Sequence, residues 1–174
     1  MLHKDALCTK SRYFRGLCSG ERQDGPILLP QVQPDDFVIY CSWVYFNELP
    51  GSAGVQYSDL NSSFECYILG EQLDDLQLRN RAIAKLSEGL CRLQPPLNPN
   101  NVSTFWARTI PGSIFRKLLV DYTLQSAFRG NVVKEFTTWP SEFVQEVLEA
   151  SFGRLPVLSA RIDLRVERYM EEEL

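Results

Sequence analysis

The chain has 174 residues, of which 44% are apolar and 23% are charged, and its 22 acidic and 18 basic residues give a formal net charge of −4. This composition is typical of a soluble globular protein and excludes collagen-like, disordered and polybasic classes. The acidic balance argues against nucleic-acid binding, which leaves a basic footprint. No apolar run reaches the roughly 18 residues of a membrane helix, and the first residues contain no secretory apolar segment. We therefore expect an intracellular protein of the cytoplasm or nucleus that enters no membrane.

The first residues predict two short helices followed by an extended segment. Residues 3–18 have a helical pattern that is interrupted at Ser11, a residue that can cap the second helix. After a polar loop, the apolar residues 26–29 begin with proline and are followed by Pro30, which is typical of a short strand or a sheet edge. A small β-sheet is therefore expected beside the helices.

Residues 37–46 are the most apolar stretch of the chain, and they allow two interpretations. Their β-branched and aromatic residues favour a buried strand. The Pro-Asp-Asp sequence at residues 34–36, in contrast, is typical of a helix start, where acidic residues complement the N-terminal end of the helix dipole. Because Phe37, Cys41, Val44 and Tyr45 also share one helical face, we favour a buried helix.

Two further helices are predicted after a loop at residues 47–57 that contains proline and glycine. The first runs over about residues 59–73 and the second over about residues 75–90, with Asp74 or Asp75 as the cap of the second. Their inward positions, which repeat every three or four residues, are Leu60, Phe64, Tyr67, Ile68, Leu76, Asn80, Ile83 and Leu86.

Residues 93–103 form a connector rich in proline and asparagine. It separates a first domain at residues 1–92 from a helical extension at residues 104–174. Three helices are predicted in the extension: one around residues 114–122, one that starts at Pro140, and one over about residues 158–170. Their expected inward residues include Ile114, Leu118, Leu119, Tyr122, Phe143, Val144, Val147 and Leu148. The predicted fold class is thus mostly α, an α+β arrangement with one small residual sheet.

No residue pattern indicates catalysis, a metal site or a cofactor. The five cysteines are widely and irregularly spaced, and His3 is the single histidine, so the spacing of zinc ligands is missing. The paired aspartates stand at predicted helix starts, where carboxylates cap free amide groups. We expect no catalytic residue, no metal, no cofactor and no small-molecule substrate. The alternative is a thiol-dependent enzyme with Cys8 or Cys18 as its nucleophile, a role that requires a lowered thiol pKa.

Short motifs follow one another in a fixed order along the first half of the chain. They occupy residues 2–7, 11–15, 27–29, 34–37, 43–46, 67–73 and 76–83. The series resembles the His-Lys opening, the Ser-x-Phe-Phe motif, the Trp-Leu-Tyr helix and the Tyr-x-Leu-Ala-Asp-Lys-Leu…Leu-x-Asn helix pair of BTB/POZ domains. In the second half, residues 109–121 and 140–143 are similar to segments of the helical extension of BTB proteins from filamentous fungi. The resemblance also favours a helix at residues 37–46.

This resemblance implies a non-enzymatic protein–protein interaction module. BTB domains commonly dimerise, and some are substrate adaptors on cullin-based ubiquitin ligases. The implied partner is therefore a protein, either a second copy of this chain in a homodimer or a cullin scaffold. The candidate contact residues are Glu21 and Arg22 in the first loop, and Tyr45, Phe46 and Asn47 at the end of the buried helix.

The sequence departs from the family pattern in two places. The strands that normally precede the His-Lys motif are not found before Leu2; without them we expect residues 27–29 to have fewer pairing partners and the usual dimer surface to be incomplete. In the cullin-binding motif, Ser19 stands at the hydrophobic position while Glu21 keeps the acidic one, so the apolar anchor of cullin binding is lost. A truncated BTB product without specific activity is the remaining alternative.

Overall fold

The computed structural model describes residues 3–19, 27–29, 32–49, 57–92, 97–128, 138–153 and 166–171. Within these segments lie eight α-helices and one short 3-10 helix, and no residue of these segments belongs to a strand. The helices are α1 (Lys4–Lys10), α2 (Arg12–Ser19), α3 (Pro34–Phe46), α4 (Tyr57–Gln72), α5 (Leu76–Arg92), α6 (Pro99–Arg108), α7 (Ile114–Phe128) and α8 (Ser141–Gly153), with the 3-10 helix at Val166–Tyr169. The prediction of a mostly α fold is confirmed.

The ambiguous apolar stretch is a helix, as the residues before it indicated. α3 begins at Pro34 with Asp35 and Asp36 in its first turn. It ends where Asn47 takes a left-handed conformation with φ of 56° and donates its backbone N–H to Trp43 O at 2.9 Å. Asparagine is one of the few residues that adopt this conformation at low cost, so the helix stops there.

The predicted small sheet is not confirmed. Ile27, Leu28 and Leu29 are described and belong to no strand, while Pro26 lies outside the described residues. Ile27 and Leu28 are both exposed. A strand exists only where its backbone groups pair with a neighbour, and no described residue supplies that pairing here.

Ser11 separates the first two helices, as predicted. Its backbone N–H donates to Leu7 O at 2.9 Å and ends α1. Its hydroxyl oxygen accepts a hydrogen bond from the Phe14 N–H at 3.1 Å and so caps the start of α2. The same hydroxyl donates to Leu73 O, which joins this cap to the end of α4.

α6 starts inside the segment predicted to be a connector, and this corrects the prediction for residues 93–103. Asn98 accepts a hydrogen bond from the Asn101 N–H at 2.9 Å, and Pro99 occupies the first turn of the helix. Asparagine and proline interrupt helices, but they are also favoured at the cap and at the first helical position. The composition alone did not distinguish these two roles.

The chain divides into two compact units. The first contains Met1–Leu86 together with Glu171–Leu174, and the second contains Ser87–Met170. The division falls within α5, whereas the sequence predicted a boundary after residue 92. The segment that starts at Glu171 belongs to the first unit, although it was predicted as part of the extension.

The predicted inward residues are mostly buried. Those of α4 and α5 are buried except for Leu76 and Asn80, which are half-buried. In α8, Phe143 and Val147 are buried, but Leu148 is exposed, which contradicts its predicted inward position. Residues 158–165 of the predicted last helix lie outside the described residues, and Val166–Tyr169 forms a 3-10 helix instead of an α-helix.

A buried carboxylate organises the first unit. Asp75 is fully buried directly before α5, and its Oδ1 accepts the Leu78 N–H at 2.9 Å, which confirms it as the helix cap. Its Oδ2 accepts the Tyr40 hydroxyl at 3.1 Å and the Trp43 Nε1–H at 3.0 Å. Burial, followed by the charge of Asp75, raises the pKa of Tyr40 well above its usual range. One side chain thus binds α3 to the start of α5.

α4 and α5 approach each other closely at Gly70. A Cβ atom added there would lie 2.7 Å from Arg79 Cγ and 3.0 Å from the Arg79 backbone nitrogen. The second of these atoms belongs to the helix backbone and cannot move aside easily. The contact between these helices therefore requires a residue without a side chain at position 70.

The second unit also contains buried polar groups that satisfy each other. Arg116 is buried, lies 4.1 Å above the Trp106 ring, and donates to Trp106 O at 3.0 Å and to Thr109 O at 2.7 Å. A positive charge is favourable at these carbonyl groups because they mark the C-terminal end of α6. The Tyr169 hydroxyl donates to Asp121 Oδ2 at 2.6 Å, and both residues are buried.

We predict that Asp75→Asn lowers the free energy of unfolding by about 2–4 kcal/mol, because an amide has one acceptor oxygen, whereas the carboxylate has two acceptor oxygens for the three buried donors. Asp74→Asn is the matched control. Asp74 is exposed and has φ of 45°, a conformation that asparagine also tolerates. Urea unfolding followed by circular dichroism measures both effects. Equal midpoints for the two variants would contradict the role of Asp75.

A second pair of variants tests the contact between α4 and α5. Gly70→Ala is expected to destabilise the chain by about 1–3 kcal/mol, because the new methyl group overlaps the Arg79 backbone. Gly16→Ala in α2 is expected to stabilise it by up to about 1 kcal/mol, since nothing lies within 4 Å of the added atom and alanine favours helix. The same unfolding measurement checks that the two substitutions change the free energy of unfolding in opposite directions. A Gly70→Ala chain as stable as the wild type would show that α4 and α5 can move apart at low cost.

Candidate protein-interaction surface on α3

The two faces of α3 differ sharply in exposure. Tyr40 and Trp43 point inward to Asp75 and are buried. On the other side Val38, Tyr45 and Phe46 are 65%, 41% and 72% exposed. Steps of seven and eight residues place these three side chains on one face of a helix. We call Val38, Tyr45 and Phe46 the α3 surface.

Tyr45 is held in place by His3 at the start of α1. The His3 backbone N–H donates to the Tyr45 hydroxyl at 2.8 Å, and His3 Nδ1 lies 3.1 Å from the same oxygen. The two rings also meet edge to face, with centroids 5.9 Å apart. His3 therefore has a structural role.

Lys10 binds two amide side chains, one of which belongs to Asn47, the residue directly after Phe46. Lys10 Nζ donates to Asn47 Oδ1 at 3.1 Å and to Gln77 Oε1 at 2.8 Å. It also lies 4.9 Å from the centroid of the Trp43 ring, within the range of a cation–π interaction. The α3 surface is thus followed in sequence by an amide whose oxygen is bound by Lys10.

Three of the five predicted contact residues lie together, since Tyr45, Phe46 and Asn47 form the C-terminal end of α3. Glu21 and Arg22 lie outside the described residues.

Sequence reasoning missed Val38 as a member of this surface, and it missed the bonds of His3 to Tyr45 and of Lys10 to Asn47. Helical spacing from Phe46 could have identified Val38, whereas nothing local connects His3 or Lys10 to α3.

Ser19 is the residue that the sequence resemblance aligns with the hydrophobic position of the cullin-binding motif. It ends α2, and its hydroxyl donates to Arg15 O at 2.7 Å. Ser19 is exposed and its polar group is satisfied within its own helix. This position therefore presents no apolar side chain to a partner.

All five cysteines lie among the described residues, and none is part of a disulfide. Burial, followed by a hydrogen bond with Cys18, raises the pKa of the Cys8 thiol above its usual value. Burial also raises the pKa of Cys41 and raises that of Cys66 to about 12. A nucleophilic thiol needs a shift in the opposite direction, so the structure gives no support to Cys8 as a nucleophile.

The described residues show neither a metal-binding cluster nor a membrane-spanning helix. They contain no group of three or more histidine, cysteine, aspartate or glutamate residues that could hold a metal ion. None of the helices in the described segments combines the length and the apolar character needed to cross a membrane.

We predict that iodoacetamide modifies Cys91 at least about 100-fold faster than Cys66, because a thiol with a raised pKa supplies little thiolate and Cys66 is also buried. Cys91 is exposed. The rate at Cys8 should continue to rise as the pH passes the usual thiol value of 9.0. Peptide mapping by mass spectrometry measures each site, and a Cys8 rate that levels off below neutral pH would favour the thiol-dependent enzyme.

A comparison of this chain with protein-family models, with curated proteins and with solved structures found no match. The resemblance to BTB/POZ domains therefore stays a prediction that depends on the residues quoted in the sequence analysis. The geometry of the α3 surface does not depend on that resemblance.

Proposed function

We propose that this chain is a non-enzymatic protein–protein interaction module of the BTB/POZ type that binds a protein partner through the α3 surface. The observation that carries the proposal is the exposure of Val38, Tyr45 and Phe46 on one face of a helix whose opposite face is fixed to Asp75. Single exposed apolar residues are common, but three on one helix face are typical of a contact surface.

The chemistry of the α3 surface suits the centre of a protein interface. Aromatic side chains such as Tyr45 and Phe46 contribute most of the binding energy in many interfaces, and polar groups surround them. Asn47 directly after Phe46, together with the Lys10 that binds it, supplies polar groups of this kind. Because Asp75 and His3 already hold α3 and Tyr45 in place, little ordering is needed on binding.

The partner that we propose first is a cullin scaffold, as the resemblance to BTB adaptors suggests. Residues 43–46 at the end of α3 resemble the Trp-Leu-Tyr helix of that family. Since Ser19 supplies no apolar anchor, Phe46 takes that role as the most exposed side chain of the α3 surface. The chain would then act as an adaptor, and no chemistry on a bound substrate is required of it.

We predict that Phe46→Ala weakens the binding of a purified fungal cullin about 30-fold, the loss expected from truncation of a central aromatic anchor worth about 2 kcal/mol. Phe152→Ala is the matched control, because Phe152 on α8 is 66% exposed and lies in the other unit. Calorimetric titration measures the affinity. Circular dichroism should show that both variants keep the fold, since neither side chain is buried.

The titration and the molecular mass distinguish a cullin partner from a second copy of this chain. Cullin binding that both variants weaken equally, or no saturable binding by the folded wild-type chain, would contradict the cullin proposal. Light scattering of the same samples gives the molecular mass. A dimer that Phe46→Ala alone converts to a monomer would identify the partner of the α3 surface as a second copy of this chain.

A further inference from the structure

A second place in the first unit holds a peptide segment by its backbone. The Asn80 side chain donates from Nδ2 to Glu171 O at 2.9 Å, and its Oδ1 accepts the Glu171 N–H at 2.8 Å. Both groups of one backbone residue are therefore bound by one amide. Such a pair of bonds binds an extended segment whatever its side chains are, because it contacts only main-chain atoms.

Arg79 adds a side-chain preference to this backbone recognition. Its Nη1 lies 2.7 Å from Glu171 Oε2, while Nη2 lies 3.8 Å from Asp74 Oδ1. Gly70 leaves the room in which the Arg79 side chain runs along α4. Adjacent positions of α5 thus bind the backbone and the carboxylate of one glutamate.

The ion pair between Arg79 and Glu171 is weak enough for another carboxylate to replace Glu171. The Arg79 and Glu171 side chains are 21% and 23% exposed, and partly exposed ion pairs are weak. Asp74 and the half-buried Glu71 also place negative charge near Arg79. The Tyr67 hydroxyl donates to Glu71 at 2.9 Å and holds that carboxylate in place. These neighbouring charges offset part of the attraction for Glu171.

We propose that Arg79 and Asn80 form a binding site for an extended peptide segment that contains a glutamate. The chain's own Glu171 occupies this Arg79–Asn80 site in the structure, and an acidic segment of a protein partner takes its place in a complex. The site is distinct from the α3 surface, so either proposal can fail without the other.

The test uses the full chain labelled with nitrogen-15, and the probe is the peptide Arg-Tyr-Met-Glu-Glu-Glu-Leu, the sequence of residues 168–174. The Glu171→Lys variant should release the chain's own segment and shift the NMR signals of the Asn80 side-chain amide. Added peptide should return these signals to their wild-type positions. It should bind the wild-type chain at least about tenfold more weakly, because there it competes with an attached segment at millimolar effective concentration.

Matched variants identify the residues that bind the peptide. Arg79→Gln in the Glu171→Lys chain should weaken peptide binding about tenfold or more, since a charge-assisted bond is lost. Arg81→Gln should leave binding unchanged, because Arg81 is exposed elsewhere on α5. A peptide with glutamine in place of the first glutamate should bind as weakly as the Arg79→Gln chain binds the original.

Each result decides the proposal. Asn80 signals that do not move in Glu171→Lys would show that the carboxylate does not hold the segment, and the proposed preference for glutamate would be wrong. Signals that move but do not respond to the peptide would exclude binding of a separate segment. If Arg79→Gln and Arg81→Gln weakened peptide binding equally, the binding would be a nonspecific attraction of charges and the proposed site would be wrong.

Discussion

The buried carboxylate of Asp75 is the constraint on which the first unit depends. A charge without solvent is unfavourable unless donors surround it, and here two of the three donors come from α3. Tyr40 and Trp43 are three residues apart, so both reach Asp75 only at one rotation of that helix. This rotation also determines which side chains of α3 face outward. The exposure of Phe46 is therefore a consequence of a contact on the opposite face.

The sequence predicted those features that local chemistry determines. Ser11 was predicted as one cap and Asp74 or Asp75 as another, of which Asp75 is the cap, and α3 was predicted from its first turn, because a cap and the helix it starts are neighbours in sequence. The helix at Pro99 was missed because asparagine and proline have two roles. The bonds of His3 to Tyr45 and of Asn80 to Glu171 were unpredictable, since they join residues that are 42 and 91 positions apart.

The partners proposed for the α3 surface and for the Arg79–Asn80 site differ in chemistry. The α3 surface is apolar and rigid, so its affinity should depend on buried area and change little with salt. The Arg79–Asn80 site uses main-chain hydrogen bonds and one ion pair, and its affinity should fall as ionic strength screens the charges. A partner that used both would bind with an apolar helix contact and an acidic extended segment. Salt dependence would then distinguish the two contributions.

The positions of the tryptophans give each unit an optical signal of its own. The sequence contains three, of which Trp43 belongs to the first unit and Trp106 and Trp139 to the second. All three are buried, so each should emit at short wavelength while its unit is folded. Trp43 also lies between the Asp75 carboxylate and the Lys10 ammonium group, whose fields act directly on its indole ring. The fluorescence of Trp43 therefore reports whether α3 is packed against Asp75. Replacing Trp106 and Trp139 by phenylalanine would isolate the Trp43 signal.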